Sequence, residues 1–411
     1  MMSAGHPSLL MIAYEFPPCQ SAGVQRTLKF AQHLPSHGWS PVVLTTVAGA
    51  YRRIDDSVSP PAGVEVRRAH SLDASRHLAI RGRYLQLTAT PDRYSSWFPF
   101  AVRAGRSAIR ERRPAAIYST FPVFTAHLVA RSLARRSGLP WIADFRDPAP
   151  EHYEPGHRPG RLARSIDRTT VQEASLLVFA TGRMRARYLE RYPECDPRKA
   201  IVIENGFDED RMSALTSAGR ERGETFDILH SGAIYPQGRD ITALLEALAK
   251  GPSHTPDGRL IRLHLRGAQM PSPGESPIPA MLDRLNLAER VHFLPPCSYE
   301  AALEEMGQSD ALLLLQGPLF DLQIPGKAYE YAATDRPILA LGGPNGATAA
   351  LMRETEGTAV GDSDDADSIA RALTELTSLA PRRRDSTKLS RKERTAELAT
   401  ALDAFRPAAA R

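Results

Sequence analysis

Cysteine is scarce in this chain of 411 residues, which has three, and no apolar run is long. Cys19, Cys195 and Cys297 lie far apart and form no CxxC pair, which disfavours a disulfide framework and a structural zinc site. No stretch reaches the ~20 apolar residues that cross a bilayer. The short apolar run at the N-terminus follows no basic segment, so it lacks the pattern of a signal peptide. We therefore expect a cytoplasmic protein in a reducing compartment.

The chain also lacks the G-x-G-x-x-G pattern of dinucleotide-binding proteins, which argues against a dehydrogenase. No nucleic-acid-binding module is recognisable, and the acidic triplet 208–210 lies in a polar segment that we interpret as a linker. We therefore expect no cofactor, no metal and no nucleic-acid partner. The net charge of +5 suits a phosphate-bearing ligand or an anionic membrane surface, or reflects a compositional bias towards arginine.

Short apolar runs typical of buried parallel strands alternate with amphipathic helical segments along most of the chain. The predicted strands of the N-terminal half are 9–14, 41–46, 63–67, 116–119, 141–145, 176–180 and 200–203. After a polar segment the pattern restarts with strands 226–230, 261–265, 291–294, 311–315 and 337–341. This alternation predicts two α/β units with parallel sheets. We assign an N-terminal domain at 1–205, a linker at 206–225, a second domain at 226–385 and a C-terminal helical segment at 386–411.

Each predicted domain begins with a strand, a glycine-containing loop and a helix. In the first, Gly23 precedes a helix that carries Arg26, and a helix N-terminus suits an anion. In the second, Gly232 follows the strand and Arg239 precedes the helix. Both arginines suit a phosphate, but surface ion pairs and a tight turn explain the same residues, so the two interpretations stay open.

The segment IPGKAYEYAATDRPILAL, residues 324–341, carries Lys327 and Glu330 three residues apart, so they share a helix face. The carboxylate suits a ribose diol and the ammonium suits a phosphate. An ordinary Glu–Lys surface pair, worth ~0.2–0.5 kcal/mol, fits the spacing equally well.

Four segments together resemble the retaining glycosyltransferases of family 4, which have the GT-B fold, and the combination is specific although each piece alone is not. The four segments are YEFPPCQSAGVQRTLKFAQHLPSHGWSPVVLTT, STFPVFTAHLVARSLARRSGLPWIADFRDP, IENGFD with ILHSGAIYPQGRDITALLEAL, and IPGKAYEYAATDRPILAL. The resemblance implies two Rossmann-like domains with an interdomain cleft and a C-terminal helix that returns to the first domain. It also implies transfer of a sugar from a nucleotide diphosphate to a hydroxyl, with retention and without a metal.

The resemblance also implies roles for particular residues. Arg239 and Lys327 are expected to stabilise the departing diphosphate, and we assign them as catalytic. The expected donor-binding residues are Gly23, Gly232, Asp321, Tyr329 and Glu330, the last matching the family's ribose-binding glutamate. The expected acceptor-binding residues are Arg26, Thr120, Asp144, Arg146 and Asp147. A salt-bridge network that fixes the loop is the alternative interpretation of Asp144, Arg146 and Asp147.

Three positions depart from the family pattern. Leu322 occupies the position of the first glutamate of the family's glutamate pair, Ala233 that of an arginine, and Thr120 that of a histidine. These changes resemble a branch found in bacterial polysaccharide and natural-product biosynthesis, in which IPxK replaces the first glutamate. They also keep two alternatives open: a non-catalytic sugar-binding scaffold and a UDP-sugar epimerase.

Arginine clusters in the N-terminal half suggest a peripheral membrane contact and a lipid-linked glycan as acceptor, with the protein at the inner face of the membrane. The first cluster is Arg103, Arg106, Arg110, Arg112 and Arg113, and the second is Arg131, Arg135 and Arg136.

Overall fold

The apolar runs of this chain form the strands of two parallel sheets, and helices cover both faces of each sheet. The computed structural model describes residues 6–81, 83–149, 161–212, 223–234, 238–271 and 276–407. The chain divides into two compact units: Met1–Asn205 with Arg391–Arg411, and Gly206–Ser390.

The first unit contains a parallel sheet with the strand order β3-β2-β1-β4-β5-β6-β7. The strands are β1 (Ser8–Ile12), β2 (Ser40–Thr46), β3 (Glu65–Ala69), β4 (Ala116–Thr120), β5 (Trp141–Phe145), β6 (Leu176–Phe179) and β7 (Ala200–Val202). The α-helices described between them are α1 (Val24–His33), α2 (Ala74–His77), α3 (Trp97–Arg112), α4 (Phe124–Ser137), α5 (Arg161–Glu173) and α6 (Gly182–Arg191).

The second unit contains a parallel sheet with the order β10-β9-β8-β11-β12-β13. The strands are β8 (Thr225–Ser231), β9 (Leu260–Arg266), β10 (Val291–Leu294), β11 (Ala311–Gln316), β12 (Ile338–Gly342) and β13 (Thr358–Asp362). The α-helices described in this unit are α7 (Glu209–Met212), α8 (Thr242–Lys250), α9 (Ile278–Arg284), α10 (Tyr299–Gln308), α11 (Gly326–Ala332), α12 (Ala347–Glu354) and α13 (Ala366–Leu376).

Strand β1 shows why these runs lack the alternation of a half-exposed strand. Leu10 and Ile12 join one buried cluster with residues of α3 and α4, whereas Leu9 and Met11 join another cluster with residues of α1. Because both faces are covered by helices, every position from Leu9 to Ile12 is apolar. The last helix, α14 (Arg391–Leu402), packs in the second of these clusters, where Leu398 is fully buried.

The structure differs from the predicted boundaries around residue 206. Residues 213–222 of the predicted linker lie outside the described residues. The part before them is packed, because Phe207 and Met212 are buried in the core of the second unit. The Phe207 amide donates to the carbonyl of Leu389, so the second unit extends to Ser390. Strand β13, an edge strand in the sequence TAVGD, was not predicted.

Candidate functional site

Both sheets have a point at which the strand order reverses, between β1 and β4 in the first and between β8 and β11 in the second. In open α/β sheets, ligands bind beyond the carboxyl ends of the strands at such a switch point. The residues that follow these four strands are therefore the first place to look for a site in each unit.

At this edge of the first sheet, a buried carboxylate connects several elements. Asp144, at the end of β5, accepts hydrogen bonds from Arg26 (2.8 Å, Nη2 to Oδ1), from the Tyr118 hydroxyl (2.6 Å) and from the Thr120 hydroxyl (3.0 Å). Arg26 also donates to the carbonyl of Ile203 at 2.8 Å. Burial, followed by the Asp144 charge, raises the pKa of Tyr118 well above its usual value, so this hydroxyl stays a donor.

This network changes the interpretation of three predicted acceptor-binding residues. Asp144 is fully buried and Arg26 and Thr120 are nearly so, and each is hydrogen-bonded within the unit. A buried ion pair is maintained only when both charges are hydrogen-bonded, as they are here. Their position therefore supports a structural role, joining α1, β4, β5 and the end of the first unit, and offers no exposed surface for an acceptor.

The loop after β1 and the loop after β5 meet through Arg146. Its guanidinium donates to the Glu15 carboxylate at 2.5 Å and lies 3.5 Å from that of Asp147. It also lies directly over Gly23, where an added Cβ would come within 1.8 Å of Nη1. Gly23 therefore provides space for Arg146, which is a different reason for glycine than the predicted contact with a donor.

Asp147 is more accessible to solvent than Asp144, the other predicted acceptor-binding carboxylate. Partial burial raises its pKa, the neighbouring charge of Arg146 lowers it, and Glu15 raises it further. Of the five predicted acceptor-binding residues, the structure thus brings Arg146 and Asp147 together in one loop cluster and places the other three in the buried network.

In the second unit, the end of β8 turns sharply at Gly232. Its φ is +154°, a backbone region that residues with a Cβ rarely adopt. An added Cβ would lie 2.8 Å from Nζ of Lys327. The sequence therefore needs glycine here for the turn and for the close approach of a lysine.

Lys327 lies in the first turn of α11, partly buried beside Gly232. Burial is the main cause that lowers the pKa of Lys327 to about 8, and the charge of Arg239 lowers it further while that of Glu330 raises it. Within the described residues no carboxylate forms an ion pair with this ammonium. The fold thus holds a cation in a position that disfavours it, which indicates a site for an anionic ligand.

Arg239 reaches the same end of the sheet from the loop before α8. Its guanidinium donates to the Gln316 side chain at 3.3 Å and to the carbonyl of Ala233 at 3.5 Å. Gln316 ends β11, so the two strands at the switch point each contribute to the cluster. Residues 235–237 of the predicted glycine loop lie outside the described residues. Arg239 and Lys327 are both partly buried.

The carboxylate of Glu330 accepts a hydrogen bond from the Tyr299 hydroxyl at 2.8 Å. Tyr299 begins α10, and its ring lies under the guanidinium of Arg211 at 4.9 Å. The tyrosine thus holds one carboxylate oxygen of Glu330 in place.

His230 is a residue that sequence reasoning did not select. It is buried at the end of β8, and its Nδ1 lies 3.0 Å from the carbonyl of Leu313, so Nδ1 carries the proton. Burial, followed by the Lys327 charge, lowers the pKa of His230 to about 4. In the described part of the chain its Nε2 has no hydrogen-bond partner, although it lies 3.5 Å from the Cβ position built on Gly232. Its place at the end of a strand, before a glycine, was the available signal.

Two predicted donor-binding residues have other contacts. Tyr329 is fully buried in a core cluster of the second unit, and its spacing of two residues places it on the opposite side of α11 from Lys327. The Asp321 carboxylate packs against the loop before α12, where Cβ atoms built on Gly343 and Gly346 would lie 2.3 and 2.4 Å from its Oδ1. Neither position supports the predicted contact with a donor.

The described residues contain no group of three or more histidine, cysteine or acidic side chains arranged for a metal ion. In the same part of the chain no helix is long and apolar enough to span a bilayer.

Comparison with known proteins places these features in a family context. Residues 22–206 match the family model described as a glycosyl transferase 4-like domain. The D-inositol 3-phosphate glycosyltransferase of Geodermatophilus obscurus is 31% identical over 195 residues, which are 45% of this chain and 42% of that protein. The chain thus matches less than half the length of this curated relative. The predicted resemblance to family 4 glycosyltransferases is confirmed over residues 22–206.

The solved structures that resemble this chain do so over nearly its whole length. Sucrose-phosphate synthase from Thermosynechococcus elongatus has a TM-score of 0.60 at 13% identity, covering 97% of this chain and 96% of its own. The Anabaena protein Alr3699/HepE, solved with UDP-glucose, has a TM-score of 0.58 at 15% identity, covering 97% and 100%. At these identities the likeness concerns the fold, and it confirms the predicted GT-B class with two Rossmann-like domains.

Proposed function

We propose that this protein is a glycosyltransferase that moves a sugar from a nucleotide diphosphate to a hydroxyl acceptor. The observation that carries the proposal is the partly buried ammonium of Lys327 beside Gly232, with Arg239 nearby at the switch point of the second sheet. In this proposal the two cations bind the diphosphate, and Glu330 accepts hydrogen bonds from the ribose diol.

The chemistry follows from the leaving group. Negative charge develops on the diphosphate as the bond to the sugar breaks, and preorganised cations stabilise that charge more in the transition state than in the ground state. His230 is neutral at physiological pH because of its low pKa, so it adds no third charge beside Lys327. Its bare Nε2 suits a donor such as a ligand hydroxyl or the Lys327 ammonium.

The test begins with a thermal-shift screen of nucleotides and nucleotide sugars, followed by incubation of each binding donor with and without acceptors. Glycosyl transfer supports the proposal. Epimerisation of a UDP-sugar without an acceptor would contradict the proposal and support a UDP-sugar epimerase. Binding without any turnover would contradict it and support a non-catalytic sugar-binding scaffold.

Variants at the site sharpen this test. Lys327→Ala and Arg239→Ala should each lower the transfer rate about a hundred- to a thousandfold, by analogy with the loss of one oxyanion donor. Lys250→Ala removes an exposed lysine of the same unit that pairs with Asp367, and it should transfer at the wild-type rate. If the two site variants keep more than half of the wild-type rate, the site is in the wrong place.

Retention of configuration and independence from metal are further parts of the proposal. The anomeric configuration of the product, read by NMR before mutarotation, tests the first. Activity after exhaustive treatment with EDTA tests the second, and rescue by a divalent cation would contradict it.

We also propose a lipid-linked glycan as the acceptor, with the first unit at an anionic membrane face. The support is the exposed side of α3, which carries Arg103, Arg106 and Arg110. Ion pairs neutralise two other predicted basic residues, since Arg112 pairs with Glu65 and Arg131 with Glu173. Comparison of lipid-linked and soluble acceptors of the same glycan tests the proposal, and equal rates would contradict it.

A further inference from the structure

The first unit carries a loop between β3 and α3 whose large apolar side chains face solvent. Ile80 is 80% exposed, Leu85 76% and Leu87 85%. We name residues 76–81 and 83–88 the apolar loop. Isolated exposed leucines are common on protein surfaces, but a cluster of protruding ones marks an interaction surface.

The loop is held firmly at its base. The Leu72 amide donates to the Ser96 hydroxyl at 2.8 Å, and that hydroxyl donates back to the Leu72 carbonyl at 2.9 Å. The Ser95 hydroxyl donates to the carbonyl of Thr88 at 2.8 Å. Because the two ends are joined in this way, the exposed side chains are presented by an anchored loop.

The base of the loop also has a defined place on the sheet. The Asp92 carboxylate accepts a hydrogen bond from the amide of Thr125, in the first turn of α4, at 2.8 Å. Tyr94 stacks on Tyr14, which follows β1, with ring centroids 4.0 Å apart. Both contacts lie beyond the carboxyl ends of β1 and β4, so the loop rises from the ligand-binding edge of the first unit.

The charge of the loop is of one sign. The sequence has no aspartate or glutamate between Asp73 and Asp92. The exposed side chains of Arg81 and Arg83 lie between Ile80 and Leu85 in the sequence. Ile80 and Arg83 exchange two backbone hydrogen bonds, of 2.8 and 3.0 Å, which bring the chain into a tight turn at this point.

We infer that the apolar loop inserts into the surface of an anionic bilayer. Apolar side chains interleaved with arginines match the boundary between acyl chains and headgroups, where both are stabilised. A protruding turn needs no complementary cavity in a fluid bilayer, whereas a protein partner would have to supply one. This inference rests on the proposed membrane contact and adds the apolar loop to the arginine side of α3 as a surface that makes it.

The experiment is flotation of the full chain with vesicles of phosphatidylcholine, alone or mixed with phosphatidylglycerol, at low and high salt. The wild type should float with the mixed vesicles at low salt. The triple variant Ile80→Ser, Leu85→Ser, Leu87→Ser should bind at least about a hundredfold more weakly, since it loses three large apolar contacts. The double variant Arg81→Ser, Arg83→Ser should bind roughly twenty-five-fold more weakly, at about fivefold for each charge.

Matched controls separate the loop from general surface properties. Leu162→Ser with Met270→Ser removes two apolar side chains that are 44% and 46% exposed elsewhere, and this control should float like the wild type. Failure of the wild type to float at low salt would overturn the inference. So would full binding by the triple variant, or an equal loss in the control.

Two further measurements distinguish the remaining outcomes. If the variant Arg103→Ser, Arg106→Ser, Arg110→Ser abolishes binding while the loop variants retain it, the helix is the contact and the loop is not. If the wild type sediments as a dimer and the loop variants sediment as monomers while flotation is unchanged, the loop binds a second copy and the inference is overturned. UDP affinity, measured by calorimetry, should be unchanged in the loop variants, so failure of the donor site is detected independently of vesicle binding.

Discussion

Substitution of Lys327 by methionine should stabilise the protein and at the same time weaken nucleotide binding. The shift of the Lys327 pKa from 10.5 to about 8 corresponds to roughly 3 kcal/mol of unfavourable free energy for the buried ammonium. Methionine keeps the chain length and removes the charge, so Lys327→Met should raise the free energy of unfolding near pH 7 by about 2 kcal/mol after relaxation of the site.

The pH dependence of stability gives the sign of this effect. Because the pKa is lower in the folded state than in the unfolded chain, the unfolded chain binds more protons between about pH 8 and 10.5. Wild-type stability should therefore rise with pH across this interval, and the rise attributable to Lys327 should be absent from Lys327→Met. Chemical unfolding at a series of pH values measures the difference between the two proteins.

A bound diphosphate should raise the pKa of Lys327, since it places negative charge beside the ammonium. UDP affinity should then be constant from neutral pH to about pH 8 and fall about tenfold for each pH unit above it. The terminal phosphate titrates near pH 6 and does not interfere in this interval. Lys327→Arg keeps its charge throughout, so its UDP affinity should not vary with pH over the same range.

Isothermal titration calorimetry in buffers of different ionisation enthalpy measures both the affinity and the protons taken up. Above pH 8 the wild type should take up a fraction of a proton on binding UDP, and Lys327→Arg should take up none. Near neutral pH, Lys327→Met should lose about 1.5–3 kcal/mol of binding free energy, as expected for a hydrogen bond to a charged group. Identical pH profiles for the wild type and Lys327→Arg would refute the assignment of Lys327 to the diphosphate.

Three more predictions follow from the two units. Asp144→Ala should lower the free energy of unfolding by about 3–5 kcal/mol, because it leaves a buried arginine unpaired. The control Asp196→Ala, at an exposed ion pair, should lower it by less than about 1 kcal/mol. Equal losses in chemical unfolding would contradict the structural role of Asp144. Gly232→Ala should destabilise by about 1–3 kcal/mol through its backbone strain and should also weaken UDP binding, whereas Gly326→Ala, where a Cβ meets nothing within 4 Å, should do neither. Glu330→Ala should weaken UDP by about 1.5–3 kcal/mol but 2′-deoxy-UDP by much less; calorimetry with both ligands decides, and equal losses would exclude a contact with the ribose diol.

The fold was predictable because its strands are locally encoded. Runs such as Leu9–Ile12 and Leu312–Leu315 are apolar at every position, since helices cover both faces of each sheet. Strand β13 was missed because it lies at the edge of its sheet, where only alternate positions are buried. Its sequence, TAVGD, has two adjacent apolar residues and therefore does not form a recognisable apolar run. The predicted end of the first domain at residue 205 coincides with the division between the units. The packing of Phe207 within the predicted linker was missed because it depends on contacts with a segment more than 180 residues away.

In the candidate site too, features encoded by nearby residues were predictable and contacts between distant residues were not. Lys327 and Glu330 were predictable because they are three residues apart on one helix. The partners that decide their chemistry are distant in sequence, such as Tyr299 for Glu330. Tyr329 belongs to the same motif as these two, and only the burial of its side chain separates it from them. A motif names a set of adjacent residues, but the helix turns one face of them to the core, here Ala328, Tyr329, Tyr331 and Ala332.

The two sheet edges differ in how completely their polar groups are satisfied. At the edge of the first sheet, Asp144 accepts hydrogen bonds from Arg26, Tyr118 and Thr120, so its charge is fully used within the protein. At the edge of the second sheet, Lys327 and His230 are buried enough to shift both pKa values downwards. Within the described residues no carboxylate forms an ion pair with the lysine, and the charge of Glu330 offsets only part of the cost of burial. Folding alone does not favour such an arrangement, because a desolvated cation is destabilising until an anion binds. The unsatisfied charge is therefore better explained by a ligand than by the fold, whereas the satisfied one needs no ligand to explain it.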